Sequence, residues 1–204
     1  MHFPRTNFYH LKILSRLFRA GFFFTLTFLL IPAVSFSQDS GQIPSEYGIK
    51  AVYLYNFLQF VHWPAERCSA HEKKVQEIAI IGNSPIVQSL QVLQTKLEQT
   101  QNTQITVKLL GPFREDMDIP ACSLLFIAQS EINNIDKIIT HFKGEPVLTV
   151  ADNENCLNKG CMVALLSRMN KVRWAVNRES AEEAGLRLSS RLLAMAVKVI
   201  DKQP

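Results

Sequence analysis

From Pro44 and Ser45 to about Val61, apolar residues recur so densely that they cover most of a helical circumference, with Ile49, Leu54, Phe57, Leu58 and Phe60 among them. A helix that is apolar nearly all round is buried or shared with a partner. Trp63-Pro64 ends it, because the residue before a proline avoids the helical region. Residues 64–76 are polar and loop-like. Ile78-Ala79-Ile80-Ile81-Gly82 is a short continuous apolar run, which reads as a buried strand. Asn83-Ser84-Pro85 follows, with Ser84 as a cap and Pro85 at the first helical position, and predicts a helix to about Gln99. Further strands are predicted at 105–109, 123–127 and 147–150. Between the last two, Ser130 is expected to cap a helix through Ile132, Ile135, Ile138 and Ile139.

The tail changes character. Residues 162–166 and 172–176 read as two strands around a turn at Met169-Asn170, an antiparallel hairpin. Asn177 caps a short helix that Gly185 stops, and a last helix is expected over about Leu188–Ile200. Strand–helix alternation followed by a hairpin predicts an α/β fold: a three-layer sandwich with a mixed, mostly parallel sheet and a C-terminal β-hairpin followed by helices.

The first 37 residues have a different pattern. Arg5, Lys12, Arg16 and Arg19 precede an apolar core running from Gly21 to Val34, and Ser35-Phe36-Ser37 supplies small residues at the positions a signal peptidase reads. This is the make-up of a cleaved signal peptide over 1–37, leaving a single domain over 38–204. The core is about 14 residues, short of the roughly 20 a spanning helix needs. The lack of a cysteine just after the cut speaks against a lipoprotein. The leader also changes the charge. The chain has 22 basic and 18 acidic residues, and four of the basic ones lie in the leader, so the remainder balances. A neutral domain lacks the basic stripe of a nucleic-acid binder.

Cys68, Cys122, Cys156 and Cys161 all follow the leader. An even cysteine count in an exported chain reads as disulfides in an oxidising compartment. Cys156 and Cys161 bracket a turn-like stretch and are close enough to bridge locally, which leaves Cys68 with Cys122. Zinc binding would need two close pairs with Cys-x-x-Cys spacing, and none is present. No metal or cofactor is therefore expected. His62 beside Trp63 reads as packing, His71 and His141 as solvated, and Glu115, Asp116 and Asp118 as a solvated loop. No nucleophile, base and orienter occur in a recognisable pattern, so no enzyme is expected. Gly82-Asn83-Ser84 joins a buried strand to a helix start and is a possible ligand loop, since backbone N–H groups there can hold an anion. The apolar face of the last helix, with Leu188, Leu192 and Met195, is a possible interface beside its default reading as core.

Two ordered signatures carry a resemblance. Glu46-Tyr47-x-Ile49-Lys50-Ala51-x-Tyr53-Leu54-Tyr55-Asn56-Phe57 with Phe60-Val61-x-Trp63-Pro64 is similar to the opening of the YfiR-like family. Val172-Arg173-Trp174-Ala175-Val176-Asn177 with Ala184-Gly185-Leu186-x-Leu188-Ser189-Ser190-x-Leu192-Leu193 resembles its ending, and Gly144-Glu145-Pro146-Val147-Leu148-Thr149-Val150 fits between them. Trp174 stands where the family usually has phenylalanine. The resemblance implies a periplasmic, non-enzymatic negative regulator with internal disulfides, Cys156–Cys161 local and Cys68–Cys122 long-range, often a homodimer. It implies binding to the periplasmic part of an inner-membrane signalling protein, a diguanylate cyclase in the best-understood case, which lowers cyclic-di-GMP and biofilm formation. The competing expectation is a small-ligand-binding accessory of a transporter or sensor kinase.

Overall fold

In the computed structural model, which describes residues 45–64, 76–101, 104–117, 122–169 and 171–201, the two faces of one sheet account for nearly all the apolar runs. Helix α1 (Glu46–Phe60) starts where Ser45 Oγ accepts from the Gly48 amide at 3.1 Å. It ends at the two-residue strand β1 (Val61–His62), just before Trp63-Pro64. Strand β2 (Gln76–Ile81), helix α2 (Ile86–Gln101), β3 (Ile105–Gly111), β4 (Leu124–Ile127), helix α3 (Ile135–His141) and β5 (Leu148–Ala151) follow. Then come β6 (Val163–Arg168), β7 (Lys171–Asn177), α4 (Arg178–Glu183), β8 (Arg187–Leu188), α5 (Ser190–Ala194) and β9 (Lys198–Ile200). The segment expected to be a signal peptide and Cys68 lie outside the described residues.

The main sheet has seven strands in the order β3-β2-β4-β5-β6-β7-β9. Pairs from β3 to β6 are parallel, β6–β7 is antiparallel, and β7–β9 is parallel. Alternation assigns the residues to two cores. Ile78 and Ile80 of β2 pack with Leu54 and Phe57 of α1 and with Leu90 of α2. Ala79 and Ile81 pack on the opposite face with Ile135 and Ile138 of α3. Both faces of the strand are covered, which is why it reads as an unbroken apolar run. The expected three-layer α/β fold with a mixed, mostly parallel sheet is the fold observed.

Two local expectations are corrected. The segment 188–200 is not one helix. Leu188 and Arg187 pair with Val61 and His62, the Ser189 amide donates to the Phe60 carbonyl at 2.9 Å, and Ser189 Oγ caps a helix of only five residues. Val199 and Ile200 then pair with Val176 and Asn177 of β7. The helical spacing of apolar residues is real, but β1 and the open side of β7 offer the backbone better partners. Ser130 is likewise not a helix cap. The segment 129–134 is a 3-10 turn with Glu131 out of helical geometry at φ −99°, ψ 15°. The Ser130 hydroxyl is drawn instead to the Asn83 amide at 2.9 Å.

Candidate functional site

In this strand order the chain leaves β2 toward β3 on one side and returns to β4 on the other. Ligands in open α/β sheets favour the carboxyl ends of strands at such a point. Gly82-Asn83-Ser84 lies there, facing the 3-10 turn after β4, and the protein's own groups fill the place. The Gly82 amide donates to the Gly111 carbonyl at 2.7 Å, the Asn83 amide to Ser130 Oγ, and the Ile86 amide to Ser84 Oγ at 3.3 Å. Pro85 has no N–H. Of the amides that would cradle an anion, only that of Ser84 lacks a hydrogen-bond partner among the described residues. Gly82 has φ +88°, and a Cβ there would lie 2.6 Å from both Glu131 Cγ and Ser130 Oγ. Gly82→Ala combines left-handed strain with overpacking and is expected to cost about 2–4 kcal/mol, read as a lower urea midpoint at unchanged slope.

The next two strands along the same edge carry a charged cluster that the sequence reading passed over. Lys50 is 1% exposed in the second turn of α1. Its Nζ lies 2.6 Å from Asp152 Oδ1, just beyond β5, and 2.5 Å from Glu46 Oε1, one turn back on the helix. It also sits 4.8 Å from the centroid of the Tyr47 ring. Glu46 accepts a further hydrogen bond from Ser167 Oγ of β6 at 2.7 Å. Burial alone would pull the Lys50 ammonium down, but its hydrogen bonds to Asp152 and Glu46, with their charges, outweigh that and hold it above the ordinary lysine value. The Lys50 hydrogen bond, then that of Ser167, holds the Glu46 carboxyl below the usual range. The cluster thus locks the start of α1 to the exits of β5 and β6. A lysine four residues after a glutamate, inside an otherwise apolar helix, was the available signal.

The family model described as YfiR/HmsC-like matches residues 47–197, from the first turn of α1 to the residue before β9. The chain belongs to this family. Among curated proteins none matches. Among solved structures, a conserved domain protein of Vibrio cholerae is similar at 10% identity with a TM-score of 0.49, over 76% of this chain. The match covers 60% of that protein's chain.

Members of the YfiR/HmsC-like family are periplasmic regulatory proteins, which supports a role of that general kind for this chain. No helix among the described residues is long and apolar enough to cross a membrane.

Within this YfiR/HmsC-like domain, the cysteine loop lies on the face opposite α1. A 3-10 turn (Glu154–Lys159) is closed by Gly160 in the left-handed region. The Cys161 amide donates to the Cys156 carbonyl at 3.1 Å. Cys156 and Cys161 are thiols with no exposed surface, and both sulfurs approach the Val163 carbonyl, at 4.0 and 3.3 Å. Contact with the Cys161 thiol, then burial, pushes the Cys156 thiol well above its ordinary value. Asn177 closes the loop from β7, donating from Nδ2 to the Leu157 carbonyl at 3.0 Å. Cys122 is buried immediately before β4.

The residues expected as an interface separate. Leu192 is buried at 1% exposure, Leu188 is partly buried, and Met195 is 55% exposed beside the exposed Val197. His62 is exposed in β1 and His141 is exposed at the end of α3. Glu115 pairs with Lys137 and Asp116 with Arg114 at the surface, while His71 and Asp118 lie outside the described residues. Among the described residues no group of three His, Cys, Asp or Glu side chains is placed to hold a metal ion.

Proposed function

We propose that this chain is a non-enzymatic periplasmic regulator that binds the periplasmic domain of an inner-membrane diguanylate cyclase and restrains it, lowering cyclic-di-GMP and biofilm formation. The family match across the folded domain carries this reading. The filled switch point supports it against a small-ligand accessory, because the loop at Gly82 already spends its donors on the protein itself. The exposed apolar side chains Met195 and Val197 form the docking surface, for the partner or for a second copy. Restraint requires tighter binding to the inactive cyclase than to the active one. We further propose that the Cys156 and Cys161 thiols of this structure are oxidised to a local bridge in the mature protein, and Cys68 and Cys122 to a second one. Each bridge forms by exchange with a disulfide-bearing oxidant, which leaves as a dithiol. A buried thiol that resists ionisation is a poor attacker, so the local bridge forms during folding rather than afterwards.

Deletion of the gene is expected to raise cyclic-di-GMP severalfold, and crosslinking in the envelope to capture a membrane protein with a periplasmic sensor and a cyclase output. Unchanged cyclic-di-GMP together with capture of transporter subunits overturns the reading. The Cys156→Ala, Cys161→Ala double variant is expected to lose about 2 kcal/mol, from the loss of a short disulfide loop. It is also expected to restrain the cyclase less well. Full restraint at unchanged stability removes redox tuning from the proposal.

A further inference from the structure

The β6–β7 hairpin concentrates three local costs that the fold itself does not require. Met169 is the one non-glycine residue with positive φ among the described residues, at +50°, where an L side chain is strained and Gly or Asn is the usual choice. The same residue is 97% exposed, a large apolar side chain held entirely in water. Arg168 and Lys171 flank it directly opposite one another in the ladder, and like charges in that position destabilise a strand pair. Arg173 lies two residues further along the same face as Lys171 and is also exposed. Arg168 is paired with Glu154 at 2.7 Å. Lys171 and Arg173 have no ion-pair partner among the described residues. On the opposite face Ser167 is held by Glu46, whose charge Lys50 offsets. Local rules broken together in one short segment, with only the Arg168–Glu154 pair to offset them, are characteristic of functional surfaces.

We propose that this tip docks on an anionic lipid surface, with the Met169 thioether entering the headgroup layer and Lys171 and Arg173 meeting lipid phosphates. The shape favours lipid over a protein partner. A specific protein interface needs about 800 Å² from each side with several anchors, whereas a convex tip with one apolar residue and flanking cations suits a soft charged layer. Such docking holds the protein at the membrane where a membrane-embedded partner sits, yet it does not depend on the identity of that partner.

The test is co-sedimentation of the purified protein with vesicles containing about one-third phosphatidylglycerol, against pure phosphatidylcholine. Partition is expected to be roughly tenfold higher on the anionic vesicles and to be lost at about 0.5 M salt. Lys171→Gln with Arg173→Gln is expected to remove most of that difference. Met169→Gly separates binding from folding: it relieves the left-handed strain, so the melting temperature rises by roughly 3 °C while vesicle binding falls. Equal partition onto both vesicle types overturns the proposal, as does undiminished binding by the variants. Loss of cyclase restraint by hairpin variants that bind vesicles like the parent would instead make the tip a protein contact, and also overturns it. The assay contains no signalling protein, so its failure leaves the regulator reading standing.

Discussion

Asp152→Ala lowers stability by about 3–5 kcal/mol, because it leaves the Lys50 ammonium inside the protein with only Glu46 to balance it. Lys50 Nζ lies 2.6 Å from Asp152 and its side chain is 2% exposed, whereas the Glu46 side chain is 48% exposed and a weaker counter-ion. For a domain of this size the loss reads as roughly a 10 °C drop in melting temperature. Lys50→Met is expected to cost less, since the Asp152 carboxylate left behind is 11% exposed and has a route to water. The double variant Lys50→Met, Asp152→Ala is expected to be more stable than Asp152→Ala alone, because no unpaired charge remains. Strict additivity of the two losses would show that the residues do not act as a pair. The pH dependence follows the same cluster. Glu46 has a depressed folded pKa, so its contribution is complete above the unfolded value of about 4.3 and is lost as pH falls through the folded value. Lys50 has a raised folded pKa, so its contribution is complete below about 10.4 and is lost as pH rises through the folded value. Between those limits the cluster is expected to add no slope to stability against pH. In acid, unfolding is expected to soften first at α1, which hydrogen exchange of its amides would detect.

Trp174→Ala is expected to cost about 3–5 kcal/mol, as for other large aromatic residues removed from a core. The indole lies edge-on to Tyr53 and Phe57, with ring centroids 4.9 and 5.6 Å away. Its Nε1–H donates to the Leu192 carbonyl at 3.2 Å, and its own carbonyl accepts from the Val197 amide at 2.9 Å. One residue of β7 therefore joins α1 to the C-terminal segment. Trp174→Phe keeps most of the packing but removes the indole donor and is expected to cost about 1–2 kcal/mol. Its effect should concentrate on α5 and β9, as faster exchange there than in β2 or β4. Uniform loss of protection across the sheet would show that the indole hydrogen bond does not specifically hold the tail.

The proposed restraint of a cyclase would need a rigid surface, and Lys50 and Trp174 make the two contacts that fix α1 between the sheet and the tail. Lys50 ties its start to the carboxyl end of the central strand β5, and Trp174 packs against its middle through Tyr53 and Phe57. Met195 and Val197 sit on the segment that Trp174 holds. A Trp174 variant is thus expected to weaken partner binding more than an equally destabilising change at Gly82.

How much of this could be read from the residues alone depends on the range of the interactions involved. Continuous apolar runs such as Ile78–Ile81 announced strands covered on both faces, and Ser45, Ser84 and Asn177 marked helix starts with groups that act within a few residues. Patterns of that kind are local and survive in one dimension, as do the two end signatures that carried the family. The 188–200 segment did not survive, because its apolar spacing suits a helix while β1 and β7, distant in sequence, supply the hydrogen bonds that break it. Ser130 was taken by an amide 47 residues away. The Lys50–Asp152 pair spans 102 residues, and no short-range pattern specifies that a lysine in an apolar helix will meet a carboxylate beyond β5. Element types, the α/β class and the family were written in near-neighbour chemistry. The filled switch point, the buried charge cluster and the fate of the tail were decided only when the folded sheet brought competing partners for the same polar groups within reach.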